Sequence, residues 1–135
     1  MVVGIVAKPE KRAPMAEKKK KFVLVVDDQP KVLKFIEIDL KLRGFSVLTM
    51  SDAQGALDFL KEIKPDVLLV DIIMPGVDGF EVIQKLRASG STLPIIAFSA
   101  SPGNQEPALE AGANDFVHKP FDPDDMAKRI NALIN

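Results

Sequence analysis

Four short apolar runs in this chain each end in a polar residue suited to handling a phosphoryl group: Asp27 and Asp28 after FVLVV, Asp71 after VLLV, Ser99 after PIIAF, and Lys119 just past FV and His118. Brought to one place, three carboxylates repel each other and raise at least one pKa unless a cation intervenes. Hard oxygen ligands from Asp27, Asp28 and Asp71 suit Mg²⁺, which keeps several waters and is commonly completed by a phosphate oxygen. No histidine or thiol falls in that cluster to favour a softer metal. A carboxylate held there can attack phosphorus and form an aspartyl phosphate. Such transfer depends mostly on positioning and on neutralising oxygen charge. Lys119 can supply a compact cation, and the Ser99 hydroxyl can donate to a phosphoryl oxygen.

The elements that would gather these residues follow from the apolar pattern. FVLVV (22–26) is a continuous β-branched run of the kind buried on both faces of a sheet. FSVLTM (45–50), VLLV (67–70), PIIAF (94–98) and NDFVH (114–118) read as further strands. Between them lie helical stripes: Val32, Phe35, Ile36 and Leu40 after Pro30; Ala56, Leu57, Leu60 and Ile63 after a cap at Ser51 or Asp52; Val82, Ile83 and Leu86 in a helix from about Phe80; and Met126, Ile130, Leu133 and Ile134 after Pro123. Gly44 and Gly90 are expected stops. A weak helix falls around 105–111, and since proline in a helix interior costs ~3 kcal/mol, its start is expected at or after Pro107. Strict alternation of strand and helix predicts an α/β fold with a doubly wound, five-stranded parallel sheet in the order 2-1-3-4-5, of the flavodoxin-like (βα)5 kind. Ligands in such sheets bind outside the carboxyl ends of the strands, where the winding reverses. Strands one and three are neighbours there, which would bring Asp27, Asp28 and Asp71 together.

With 135 residues, the chain has room for one domain with a real core. It lacks cysteine, which excludes a disulfide framework, thiol catalysis and thiolate zinc, and fits a reducing cytoplasmic setting. No apolar run approaches the roughly 18–20 residues needed to span a bilayer. Residues 1–21 carry seven basic side chains against Glu10 and Glu17, a net charge of +5, which leaves −6 for the remainder. The segment is expected to be a flexible basic tail outside a domain spanning 22–135, and Met15 is a second candidate start. An acidic body argues against nucleic-acid binding by the folded part.

Taken together, DD at 27–28, DIIMPGVDG at 71–79, FSA at 98–100, EAGA at 110–113 and KPF at 119–121 resemble the receiver domain of bacterial response regulators, and the likeness covers essentially all of 22–135. The resemblance implies that Asp71 accepts a phosphoryl group from a histidine kinase or a phosphotransfer protein. It further implies that Asp27 and Asp28 bind Mg²⁺ with Asp71 and the Ile73 carbonyl, that Lys119 contacts the phosphoryl group, that Ser99 and Phe116 change position after phosphorylation, and that the Lys119-Pro120 peptide is cis. Two features depart from the family pattern. The stretch from Ser99 to Lys119 is shorter than is common, with Pro102, Gly103 and Pro107 interrupting the fourth helix; and Phe116 lacks the hydroxyl of the tyrosine often found there.

Taken singly, each motif has a bland reading: Asp27-Asp28 as a turn with a helix cap, MPGVDG as a turn, Lys119 as a solvated charge. Their weight lies in co-occurrence. His118, the only histidine, is expected on the sheet face opposite Lys119 and outside the chemistry. The leading expectation is a stand-alone phosphorylation-controlled switch, a monomer or weak dimer, signalling to a protein target by contact or onward phosphotransfer. The alternatives are a phosphorylation-independent binding module with the same fold, and a hydrolase using an aspartyl phosphate, for which no separate general acid or substrate cap is evident.

Overall fold

A computed structural model describes residues 20–134. Of the basic tail expected over 1–21, all but Lys20 and Lys21 lies outside the described residues. Five strands, β1 (Phe22–Val26), β2 (Ser46–Met50), β3 (Val67–Asp71), β4 (Ile95–Ser99) and β5 (Asp115–His118), alternate with helices α1 (Pro30–Leu42), α2 (Ala53–Glu62), α3 (Gly79–Ala88), α4 (Gln105–Ala111) and α5 (Pro123–Ile134). All pairings are parallel, in the order β2-β1-β3-β4-β5. The doubly wound fold expected from the alternation is therefore the one observed.

Successive strand side chains point to opposite faces, and here both faces are covered. Leu24, Val26, Leu68 and Val70 pack with Ala56, Leu57, Val82, Ile83 and Ala108, placing α2, α3 and α4 on one side. Val23, Val25, Val67 and Leu69 pack with Leu33, Ile36, Leu40, Met126 and Ile130, placing α1 and α5 on the other. Each fully buried valine, leucine, isoleucine or methionine among them contributes about 1.5–3 kcal/mol through burial. The strand ends that carry the polar residues are thus held by core on both sides.

Several element details differ from the sequence reading. In α1 the inward stripe is Leu33, Ile36 and Leu40, and Phe35 is half exposed. The helix carries a second apolar row, Phe35, Ile38 and Leu42, on its outer side, and Phe35 belongs to that row. In α2, Asp52 rather than Ser51 is the cap, its carboxylate accepting the Gly55 N–H at 2.6 Å; Leu60 is only partly buried, and Ile63, the residue that ends the helix, is exposed. β2 starts at Ser46 and β5 at Asp115, one residue later than expected in each case. α4 begins at Gln105, after a single 3-10 turn over Pro102–Asn104, and not at or after Pro107. Pro107 falls in the first turn, where backbone N–H groups have no partner within the helix to lose. Gly44 ends α1 with φ +98°, a conformation other residues rarely adopt.

Candidate functional site

Register brings the acidic residues together. Val26 of β1 lies beside Val70 of β3, so the residues that follow, Asp27 and Asp71, emerge side by side at the carboxyl edge of the sheet. One carboxylate oxygen from each of Asp27, Asp28 and Asp71 lies within 4.8 Å of the others. Asp27 and Asp71 are buried, whereas Asp28 is exposed. The Asp27 Oδ1 accepts the Gln29 N–H at 2.8 Å, which orients that carboxylate as the chain turns into α1.

Lys119 closes the pocket from the far end of the fold. Its backbone N–H donates to the Ser99 carbonyl at 2.9 Å, and the Lys119-Pro120 peptide is cis. Its Nζ lies 2.8 Å from Asp27 Oδ2 and 3.4 Å from Asp71 Oδ2, with the Gln29 side-chain oxygen at 3.4 Å and the Phe98 ring centroid at 5.0 Å. One ammonium therefore serves two buried carboxylates. The balance falls short for Asp71: burial and the neighbouring Asp27 charge push its pKa up to about 6, while Lys119 and the Ile73 N–H, 3.3 Å from Asp71 Oδ1, pull the other way. A carboxyl so placed gains from a second cation, and the all-oxygen donor set fits Mg²⁺.

Ser99 ends β4 fully buried, and its Oγ accepts the Ser101 N–H at 3.1 Å and an Asn104 amide N–H at 3.0 Å. Phe116 is buried beside Ala97 in β5, its ring edge-on to His118 with centroids 5.1 Å apart. His118 is exposed and packs on Phe116, whereas the Lys119 ammonium sits among the carboxylates. Ile73, two residues past Asp71, is 58% exposed. Gln29 and Asn104 were not legible as site residues, because each acts through a contact that only the folded turns create.

Gly79 has a steric role. A Cβ there would collide with the Asp71 carbonyl oxygen and lie 2.7 Å from the Ile72 Cα, on the backbone that carries the central carboxylate. Gly79→Ala is expected to lower stability by about 1–3 kcal/mol through overpacking. Urea unfolding checks this, an unchanged midpoint being the contrary result.

Residues 23–131 match the response regulator receiver domain family. The transcriptional regulatory protein KdpE of Mycobacterium tuberculosis is 40% identical over 114 residues, covering 83% of this chain and 50% of that protein. The Francisella response regulator 1452 receiver domain superposes with a TM-score of 0.81 at 32% identity, over 85% of this chain and 97% of its own. The receiver domain of sensor histidine kinase PA1611 from Pseudomonas aeruginosa, solved with a magnesium ion coordinated in the active site cleft, superposes with a TM-score of 0.80 at 30% identity, over 86% of this chain and 98% of its own. The chain spans about half the length of the curated relatives it matches. Fold, pocket and matched span agree, and the chain belongs to the response regulator receiver domains, the phosphorylation-controlled signalling modules of two-component systems.

Proposed function

We propose that Asp71 is the phosphoryl acceptor of this receiver and that its donor is the phosphohistidine of a histidine kinase or phosphotransfer protein. The observation that carries the reading is the placement of the Asp71 carboxylate, buried at a strand end with Lys119 Nζ at 3.4 Å and two further carboxylates within 4.8 Å. One Asp71 oxygen forms the new P–O bond as the P–N bond of the donor breaks, and the electron pair of that bond leaves on the imidazole nitrogen. Lys119 neutralises charge on the transferred oxygens, and Ser99 turns its hydroxyl to donate to one of them. Asp27, Asp28, Asp71 and the Ile73 carbonyl would hold Mg²⁺, which when bound offsets the negative charge shared by carboxylates and phosphoryl group. The change in charge and hydrogen bonding biases a two-state element built on Ser99 and Phe116, and the signal leaves by protein contact or onward phosphotransfer.

The domain catalyses only its own phosphorylation and dephosphorylation, in the cytoplasm, as a monomer or weak dimer. An acidic body, −6 over residues 22–135, supports a protein target over nucleic acid for the folded part. No helix among the described residues is long and apolar enough to cross a membrane. The intact acidic cluster disfavours the alternative of a phosphorylation-independent binding module.

Incubation with acetyl phosphate and Mg²⁺ tests the proposal by intact mass. A gain of one phosphoryl group, absent when Mg²⁺ is chelated before acetyl phosphate is added, is expected; no gain, or turnover of a generic phosphate ester, contradicts it. With the geometry of the receiver family, the apolar side chain of Ile73, two residues past Asp71 and exposed, would stand beside the path of an attacking water, and the phosphorylated form is expected to persist for minutes or longer. A lifetime of seconds with Mg²⁺ present would contradict that assignment.

A further inference from the structure

Asn104 is the residue before α4, a position at which asparagine is among the best capping side chains. It makes no cap. The helix starts without any side-chain hydrogen bond at its N-terminus, and the Asn104 backbone is helical (φ −85°, ψ −7°) rather than extended as a cap requires. The carboxamide instead reaches back to donate to Ser99 Oγ at 3.0 Å, while the backbone N–H of Asn104 donates to the Ser101 carbonyl at 3.1 Å. Ser99 is fully buried, and with the Ser101 N–H also on its Oγ, both acceptor positions of the hydroxyl are filled. A side chain with a favourable local use is thus spent on the active-site serine.

We propose that Asn104 is a positioning residue that ties Ser99 to the start of α4 in the resting domain, and that phosphorylation exchanges this bond for a cap on α4. The inference rests on the reading of Asp71 as acceptor. Drawing the Ser99 hydroxyl toward a phosphoryl oxygen breaks the bond to Asn104. The freed carboxamide can then accept the Glu106 N–H, since Pro107 at the next position has no N–H to offer. Capping needs an extended Asn104 backbone, so the exchange moves the turn over Pro102–Asn104 and the first turn of α4. The same residue therefore restrains the serine and reports its capture to the surface.

The test compares wild type, Asn104→Ala, Asn104→Ser, Ser99→Ala and Ser99→Ala/Asn104→Ala. Two readouts are used: the rate of phosphoryl uptake from acetyl phosphate with Mg²⁺, by intact mass, and hydrogen exchange of the Glu106 amide. Losing one neutral hydrogen bond that opposes Ser99 movement should speed uptake about three- to tenfold in Asn104→Ala. Serine is too short to reach Ser99 yet caps well, so Asn104→Ser should be equally fast and should protect the Glu106 amide before phosphorylation. In wild type that protection should rise only on phosphorylation, and in the Ser99→Ala background Asn104→Ala should change the rate less than about twofold, as expected if the two side chains act through one bond. Equal or slower uptake in both single Asn104 variants, or the same acceleration without Ser99, overturns the proposal. Failure of wild type to take up phosphate would instead defeat the reading of Asp71 itself.

Discussion

Asp71→Asn is expected to abolish phosphoryl uptake and, in the metal-free protein at pH 7, to make the domain more stable by about 2–3 kcal/mol. The two effects have one cause. Burial and the Asp27 charge push the Asp71 pKa from 3.8 to about 6, so the ionised carboxylate is less favourable in the folded domain than in the unfolded chain. Between about pH 4 and pH 6 the folded state keeps a proton that the unfolded state releases. The stability this proton uptake supplies is present at the acidic end, falls as the pH rises through the window, and is gone above about pH 6. Asparagine removes both the charge and the titration. Its expected advantage over wild type is therefore largest at neutral pH and shrinks as the pH falls toward 4. The difference between two denaturant curves at each pH cancels what the two proteins share and isolates Asp71. An Asn variant no more stable than wild type at pH 7 would mean that the carboxylate is not held under electrostatic stress.

Lys119→Met is expected to have the opposite effect on stability and a large effect on chemistry. The ammonium lies 2.8 Å from Asp27, which is fully buried, and 3.4 Å from Asp71. Its removal leaves buried carboxylates facing each other without a counter-charge, a loss of about 3 kcal/mol by comparison with other broken buried pairs. Millimolar Mg²⁺ is expected to restore much of that stability in the variant, because a divalent ion replaces the missing charge. Uptake from acetyl phosphate is expected to stay slow even then, by about a hundredfold, since a metal held by the carboxylates does not replace the donor aimed at the transferred oxygens. Thermal unfolding with and without Mg²⁺, alongside the uptake rate, separates the two roles. An unchanged midpoint without metal would show that Lys119 is not the compensating charge.

The strand ends were readable because parallel strands buried on both faces appear as continuous apolar runs, and a break to Asp, Ser or Lys is then conspicuous. The pairing of β1 with β3 follows from the sheet order alone and places Asp27 beside Asp71. Phe35 was assigned inward because Val32, Phe35 and Ile36 follow the i, i+3, i+4 spacing of a buried stripe, yet α1 has two apolar rows and periodicity cannot rank them. The start of α4 was misjudged because proline was weighed as an interior residue, while the first turn tolerates it. Asn104 was invisible for a different reason: PGN reads as a turn, and nothing local says that its carboxamide turns back to Ser99. Likewise the clamp by Arg87, which donates to the Gly112 carbonyl and the Asn114 side chain at 3.0 Å each, joins residues far apart in sequence through a turn whose shape the sequence does not specify.

Borohydride reduction after phosphorylation locates the acceptor, because hydride converts an acyl phosphate, and not a free carboxylate, into an alcohol. Peptide mass mapping of protein treated with acetyl phosphate, Mg²⁺ and then borohydride should find homoserine at position 71 and nowhere else. Homoserine at position 27 or 28, or phosphate retained on Ser99 or His118 with position 71 unmodified, would contradict the account.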